Sequence, residues 1–197
     1  MKKTAKIIVP LFLLVLFICS SYTKGPGSES LTSISSDQLH FSFKTPDWNG
    51  YVPCKLDFDA IALNDSTNVI AFDSASTNAS LCFSYPKDSS AIVKNRQLKR
   101  YKIKSHFENN APFQFYLKLP SDKNSLDDLT KRLFSNAGFS ETEYNEVAEV
   151  KYLKSEPNCA VFIVKCNYKL NARIAATPKL SKPVSGTFTF LVRTSKV

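Results

Sequence analysis

Beyond residue 38, hydrophobic and polar positions alternate with period two along most of the chain. In LHFSFKT (39–45), Phe41 and Phe43 alternate with Ser42 and Lys44, the signature of a half-buried strand. PDWNG (46–50) reads as a turn and YVPCKLDFDA (51–60) as a second strand. Pro53 cannot donate to a ladder, which suits an edge or the beginning of a strand. TNVIAFDS (67–74) and SLCFSYP (80–86) read as paired strands joined by a turn. LKRYKIKSHF (98–107) and PFQFYLKLP (112–120) follow, with Phe113, Phe115 and Leu117 sharing one face.

The period then changes. In residues 121–139, Leu126, Leu129, Leu133 and Ala137 recur at helical spacing. Ser125 is placed as an N-cap with Asp128 three positions on, Asp127 and Asp128 lie early, Lys131 and Arg132 late, and Gly138 is positioned to end the helix. A second short helix is expected in SETEYNEV (140–147). The tail returns to strands in EVKYLK (149–154), CAVFIVKCNYKL (159–170) and GTFTFLVRT (186–194), with ATPKLSKPVS (176–185) as an exposed loop. Val161 and Ile163 oppose a second apolar face on the same strand, which predicts a central strand covered on both sides, with the helix as one cover. The fold class expected is α+β, a mainly antiparallel β-sheet of about nine strands with one clear helix. The alternative is an all-β sandwich with a helical insertion.

The first 37 residues follow a different pattern. MKKTAK is positive, and Ile7–Cys19 is an apolar run that would reach only ~20 Å as a helix, against a bilayer core of ~30 Å. A positive start, a short apolar run and small polar residues predict a secretory signal over 1–21. The Ser-, Gly- and Thr-rich stretch 22–37 reads as a flexible linker, and 38–197 as a single β-rich globular domain. Cys19 ends the apolar run, with Leu16 three positions before it, and this resembles the lipobox of bacterial lipoproteins, in which such a cysteine receives the lipid. Phe17 and Ile18 are bulkier than that pattern prefers. Ordinary cleavage after Ser21 is the other route. Either way the domain is expected to be exported: secreted, periplasmic or anchored at the cell envelope.

Composition narrows the chemistry. The formal charge is +9, of which Lys2, Lys3 and Lys6 belong to the leader, leaving +6 for the remainder. Four cysteines lie beyond the leader: Cys54, Cys82, Cys159 and Cys166. Cys159 and Cys166 share one extended strand seven residues apart, ~23 Å, which excludes a bridge between them. Cys54 with Cys82, two crossing bridges, or four buried thiols all remain open. No Cys/His cluster has zinc spacing, Asp57, Asp59 and Asp65 fit a solvated face, and no metal or cofactor is expected. His40 and His106 have no partner motif, no Gly-rich phosphate cradle occurs, and no catalytic residue stands out. The triplet Asn78-Ala79-Ser80 matches a glycan acceptor, a pattern common by chance in Ser-rich loops.

The densest local feature is KNRQLKRYKIKSH. Lys94, Arg96, Lys99, Arg100, Lys102 and Lys104 place six cations within eleven residues. This predicts a docking stripe for an anionic glycan, a lipid headgroup or an acidic protein. Its bland counterpart is a solvated edge strand on which lysines discourage sheet-to-sheet pairing. An exported chain is not expected to meet nucleic acid. The function expected is therefore a non-enzymatic binding or structural module; the alternatives are an extracellular hydrolase working through carboxylates not identifiable in the sequence, or a subunit of a surface assembly. If the stripe docks anions, replacing Lys99, Arg100 and Lys102 with Ser leaves the circular dichroism spectrum intact and weakens retention on heparin. Unchanged retention removes the stripe from consideration.

Overall fold

The computed structural model describes residues 39–54, 61–62, 66–94, 99–103 and 112–196. The leader, the linker and Cys19 lie outside them, as do Arg96, Lys104, His106, Asp57, Asp59 and Asp65. The strands are β1 (His40–Lys44), β2 (Asn49–Pro53), β3 (Ile61–Ala62), β4 (Thr67–Ser74), β5 (Ala79–Pro86), β6 (Lys99–Tyr101), β7 (Phe115–Pro120), β8 (Arg132–Phe134), β9 (Tyr144–Ser155), β10 (Cys159–Ile174) and β11 (Thr177–Ser195). The α-helix α1 (Ser89–Lys94) and a 3₁₀ turn at Leu129–Lys131 complete the described secondary structure. Among the described residues no helix is long and apolar enough to cross a membrane.

The β10–β11 hairpin is the spine, because these two strands pair along their length, from Cys159↔Ser195 to Ile174↔Thr177. The free side of β11 takes β1, which takes β2. The free side of β10 is shared: β9 pairs with Ala160–Lys169, and β8 with Arg173 and Ile174. From β8 the order continues through β7, β5, β4 and β3, while β6 pairs β9. Every pairing between named strands is antiparallel. The sheet folds over on itself, so that β4, β5 and β7 face β1, β10 and β11. The facing rings show it: Phe72 lies 6.0 Å from Phe41, Phe83 lies 4.9 Å from Phe188, and Phe115 lies 4.7 Å from Tyr168. Parallel bridges from Ile103 to Phe115 and from Asp88 to Ser195 join the layers at two further places.

Period two explains which residues fill the gap. Phe162, Val164, Cys166, Tyr168 and Leu170 on β10 stand opposite Val192, Phe190, Phe188, Gly186 and Val184 on β11, and Gly186 excepted, all of these are buried. Gly186 is required for space. A Cβ there would lie 2.0 Å from the Ser42 carbonyl oxygen and 2.6 Å from Tyr168 Oη. The Tyr168 ring crosses over the glycine and its hydroxyl donates to that same carbonyl at 2.8 Å. Gly50 does the equivalent for Phe43, whose ring occupies the place a side chain would take.

The α+β expectation is corrected: the described residues are essentially all-β, with one short helix and a lone 3₁₀ turn among them. The helix expected across 125–137 is absent, and the helical insertion of the sandwich alternative is absent with it. Ser125 instead closes a turn, its hydroxyl donating to the Asp122 carbonyl, and Asp128 caps only the 3₁₀ turn. The apolar stripe splits, with Leu133 buried and Leu129 69% exposed. The reason is tertiary. β7 needs a partner, and Leu133 meets Leu119 across a ladder that continues to β10. A helix of a dozen residues is marginal in water without packing, so the ladder prevails. Arg132 anchors the preceding loop by donating to the carbonyls of Asn78 and Leu126, both at 2.7 Å. The second expected helix is a turn leading into β9, and the expected 176–185 loop belongs almost wholly to β11. Pro178 and Pro183 fit because β1 does not reach beyond Ser185, so that stretch of β11 is spared a second ladder. Helix α1 arises where none was expected, capped by Asp88 Oδ1 accepting from Ser90 N and Ala91 N.

Gly186→Ala is expected to cost about 3 kcal/mol or more, since a backbone oxygen must move. Tyr168→Phe, which removes only a hydroxyl, costs about 1 kcal/mol. Urea unfolding midpoints check the order; equal stability of Gly186→Ala and wild type shows that the tyrosine does not need the glycine.

Candidate anion-binding face

The residues alternating with the core point outward and form cross-strand rows. Direct pairings give Tyr51, Ser42, Thr187, Asn167, Glu146 and Arg100 as one row across six strands. On one side of it runs Asn49, Lys44, Ser185, Lys169 and Tyr144; on the other run His40, Thr189, Lys165 and Glu149. The middle of the face is tied by side-chain hydrogen bonds. Ser42 Oγ contacts Thr187 Oγ1 at 2.9 Å, and His40 Nε2 contacts the same hydroxyl at 2.8 Å. The His40 ring stacks on Tyr51, with centroids 5.1 Å apart.

Two adjoining cavities, of about 580 and 660 Å³, open near the distal part of the β10–β11 hairpin and share Asn171. Lys44, Lys169, Ser185 and Thr142 stand at the first around an apolar floor of Pro46, Leu170, Pro183 and Val184; Arg173, Lys179, Ser181 and Glu143 line the second. Among the described residues the charged lining is thus four cations against one carboxylate. All four cations are exposed, and no ion pair joins any of them to a carboxylate among the described residues. Lys44 and Lys169 are two strands apart, ~10 Å, and Lys169 and Arg173 four residues apart on one strand, ~13 Å. Those spacings match or exceed the ~8 Å screening length at physiological salt, so mutual repulsion is weak, while an anion in contact with each cation feels it directly.

Of the stripe nominated by the sequence, Lys94, Lys99, Arg100 and Lys102 lie within the described residues and Arg96 and Lys104 outside them. Lys94 ends α1, whereas Lys99 and Arg100 lie on β6 and Lys102 just beyond it. Arg100 is already matched: Nη1 meets Glu141 at 3.2 Å, Nε meets Glu146 at 3.0 Å, and the guanidinium lies 4.0 Å from the Tyr144 ring centre. The Glu146 hydrogen bond is the main reason its pKa is raised. Lys99 extends over Tyr101. The cavity cations escaped the sequence reading because they come from distant segments; alternation of Lys165, Lys169 and Arg173 on one strand was the available signal.

Other reactive groups are occupied. The four described cysteines are free thiols. Burial pushes Cys54 up to about 12, Cys82 to about 11, and Cys166 higher still, so none of these three is a ready nucleophile. Cys159 Sγ lies 3.2 Å from Glu156, whose carboxylate also holds Arg193 at 3.1 Å and Lys154 at 2.9 Å. Asn78 spends its amide on the Leu126 carbonyl and Asp127, so attachment of a glycan there would disrupt those two bonds. None of the cavities described brings two carboxylates together. Comparison of the chain with protein-family models, with curated proteins and with solved structures finds no match in any of the three.

The hydrogen bond from Arg193, then that from Lys154, hold Glu156 down to about 2 from an ordinary 4.5. A depressed carboxylate stabilises the fold fully above its unfolded value and loses that contribution as pH falls through its folded value. Glu156→Gln therefore flattens the stability profile between pH 4.5 and 2. Thermal melts across that range check this, and an unaltered acid limb contradicts it.

Proposed function

We propose that the chain is an exported, non-enzymatic binding module that takes an anionic ligand on the outer face of its sheet. The observation that carries this reading is the pair of cavities lined by Lys44, Lys169, Arg173 and Lys179, with Glu143 as the one acid among the described residues. Lysines that merely guard an edge strand do not need a concavity, and exposed cations held without acidic partners retain their full charge for a ligand. The leader pattern supports export, where anionic polymers are abundant partners for a basic surface.

The full chain carrying Lys44→Ser, Lys169→Ser and Arg173→Ser elutes from heparin at lower salt than wild type. It also elutes earlier than the Lys99, Arg100 and Lys102 triple variant. With each exposed charge contributing about 0.5–1 kcal/mol, the loss in affinity at low salt is on the order of 10- to 100-fold. Elution of the cavity variant together with wild type overturns the reading.

A further inference from the structure

The outer face holds a feature that simple anion binding does not need. Tyr51 is 56% exposed although it sits in a paired strand, and its ring is backed by His40 at 5.1 Å and 17°. His40 is in turn held at Thr187. One face of the Tyr51 ring is thus covered by His40. From Tyr51 the row continues through Ser42, Thr187 and Asn167, reaching ~14 Å across three strand spacings. Lys44 and Lys169 flank that row on one side and Lys165 on the other, all three exposed.

We infer that the ligand of this face is an acidic polysaccharide, laid across β2, β1, β11 and β10 with one sugar ring on Tyr51 and its acid groups at Lys44, Lys165 and Lys169. This rests on the anionic-ligand reading above and adds the ligand class. A sugar ring has an apolar C–H face that packs on an aromatic ring and an edge of hydroxyls that the half-buried Asn167 amide can meet, Ser42 and Thr187 being bonded to each other. The uronate or sulfate groups of an acidic glycan supply the charge. Cations spread over several strands, as Lys44, Lys165 and Lys169 are, suit an extended polymer better than a compact anion. Single-stranded nucleic acid is served by several successive stacking aromatics. Among the described residues, Tyr51 is the one strongly exposed aromatic that strand pairing places on this face. An acidic protein partner is disfavoured because the face lacks the clustered apolar anchors of a protein interface.

The full chain is titrated calorimetrically with a polyuronate, neutral dextran, inorganic polyphosphate and oligothymidylate. The expected result is that the polyuronate binds best and that Tyr51→Ala weakens it about 3- to 10-fold, the range of a single ring-stacking contact. Tyr51→Phe retains wild-type affinity, and the weak affinity for polyphosphate is the same in all three proteins. An exposed position tolerates both changes within about 0.5 kcal/mol of stability. Unchanged polyuronate affinity in Tyr51→Ala overturns the inference, as does tighter binding of polyphosphate or oligothymidylate, and in each case the anionic-ligand reading survives. Failure of every polyanion to bind overturns both.

Discussion

The β10–β11 ladder is the constraint on which the rest depends. Its register sets Cys166 against Phe188 and Tyr168 against Gly186, and so decides that Phe188 and Phe190 face Phe83, Phe115 and Phe72. A slip of one residue would turn this whole set toward water and bring Lys165, Asn167 and Lys169 into the core. Burial of a Phe or Tyr side chain is worth about 1.5–3 kcal/mol, and several rings would invert together. That loss rivals the ~5–15 kcal/mol by which a typical domain is stable, so one register is enforced. The Tyr168 ring over Gly186 adds a steric check that no neighbouring residue could satisfy.

The same register generates the candidate site. Once even-numbered positions of β10 and β11 are committed to the core, Lys165, Lys169 and Arg173 on β10 must stand on the opposite face. β1 then docks on β11 with Lys44 opposite Ser185, which aligns it with Lys169. No cation was recruited individually: the face follows from pairing. Its interior hydroxyls are satisfied among themselves, as at Ser42, Thr187 and His40, which fixes their directions and leaves the lysines as the exposed charged fringe.

At the far edge of this face, Arg100 shows how the same chemistry is neutralised. Its guanidinium is shared between Glu141 and Glu146 and spread over Tyr144, so the most basic stretch of the chain includes a cation already matched. Linear charge density and available charge differ because a strand displays alternate residues to different neighbours. Lys94 lies on a separate element, at the end of α1.

The sequence by itself determined where the chain alternates, and hence β1, the β4–β5 hairpin, β7 and the inward face of β10, because a two-residue period admits one arrangement of side chains about a sheet. It also determined that Cys159 and Cys166 lie on one strand, and it limited Pro53 to an edge or a strand's beginning. Only the tertiary structure decided the segment from Ser125 to Ala137. Its leucines fit a helix locally, but β7 and β10 offered Leu133 and Phe134 a ladder, and long-range hydrogen bonds with burial outweigh a short helix's weak intrinsic preference. Only the tertiary structure likewise joined Lys44 to Lys169, Arg173 and Lys179 and set Tyr51 beside them. Residues more than a hundred positions apart become neighbours through strand pairing, which no local pattern encodes.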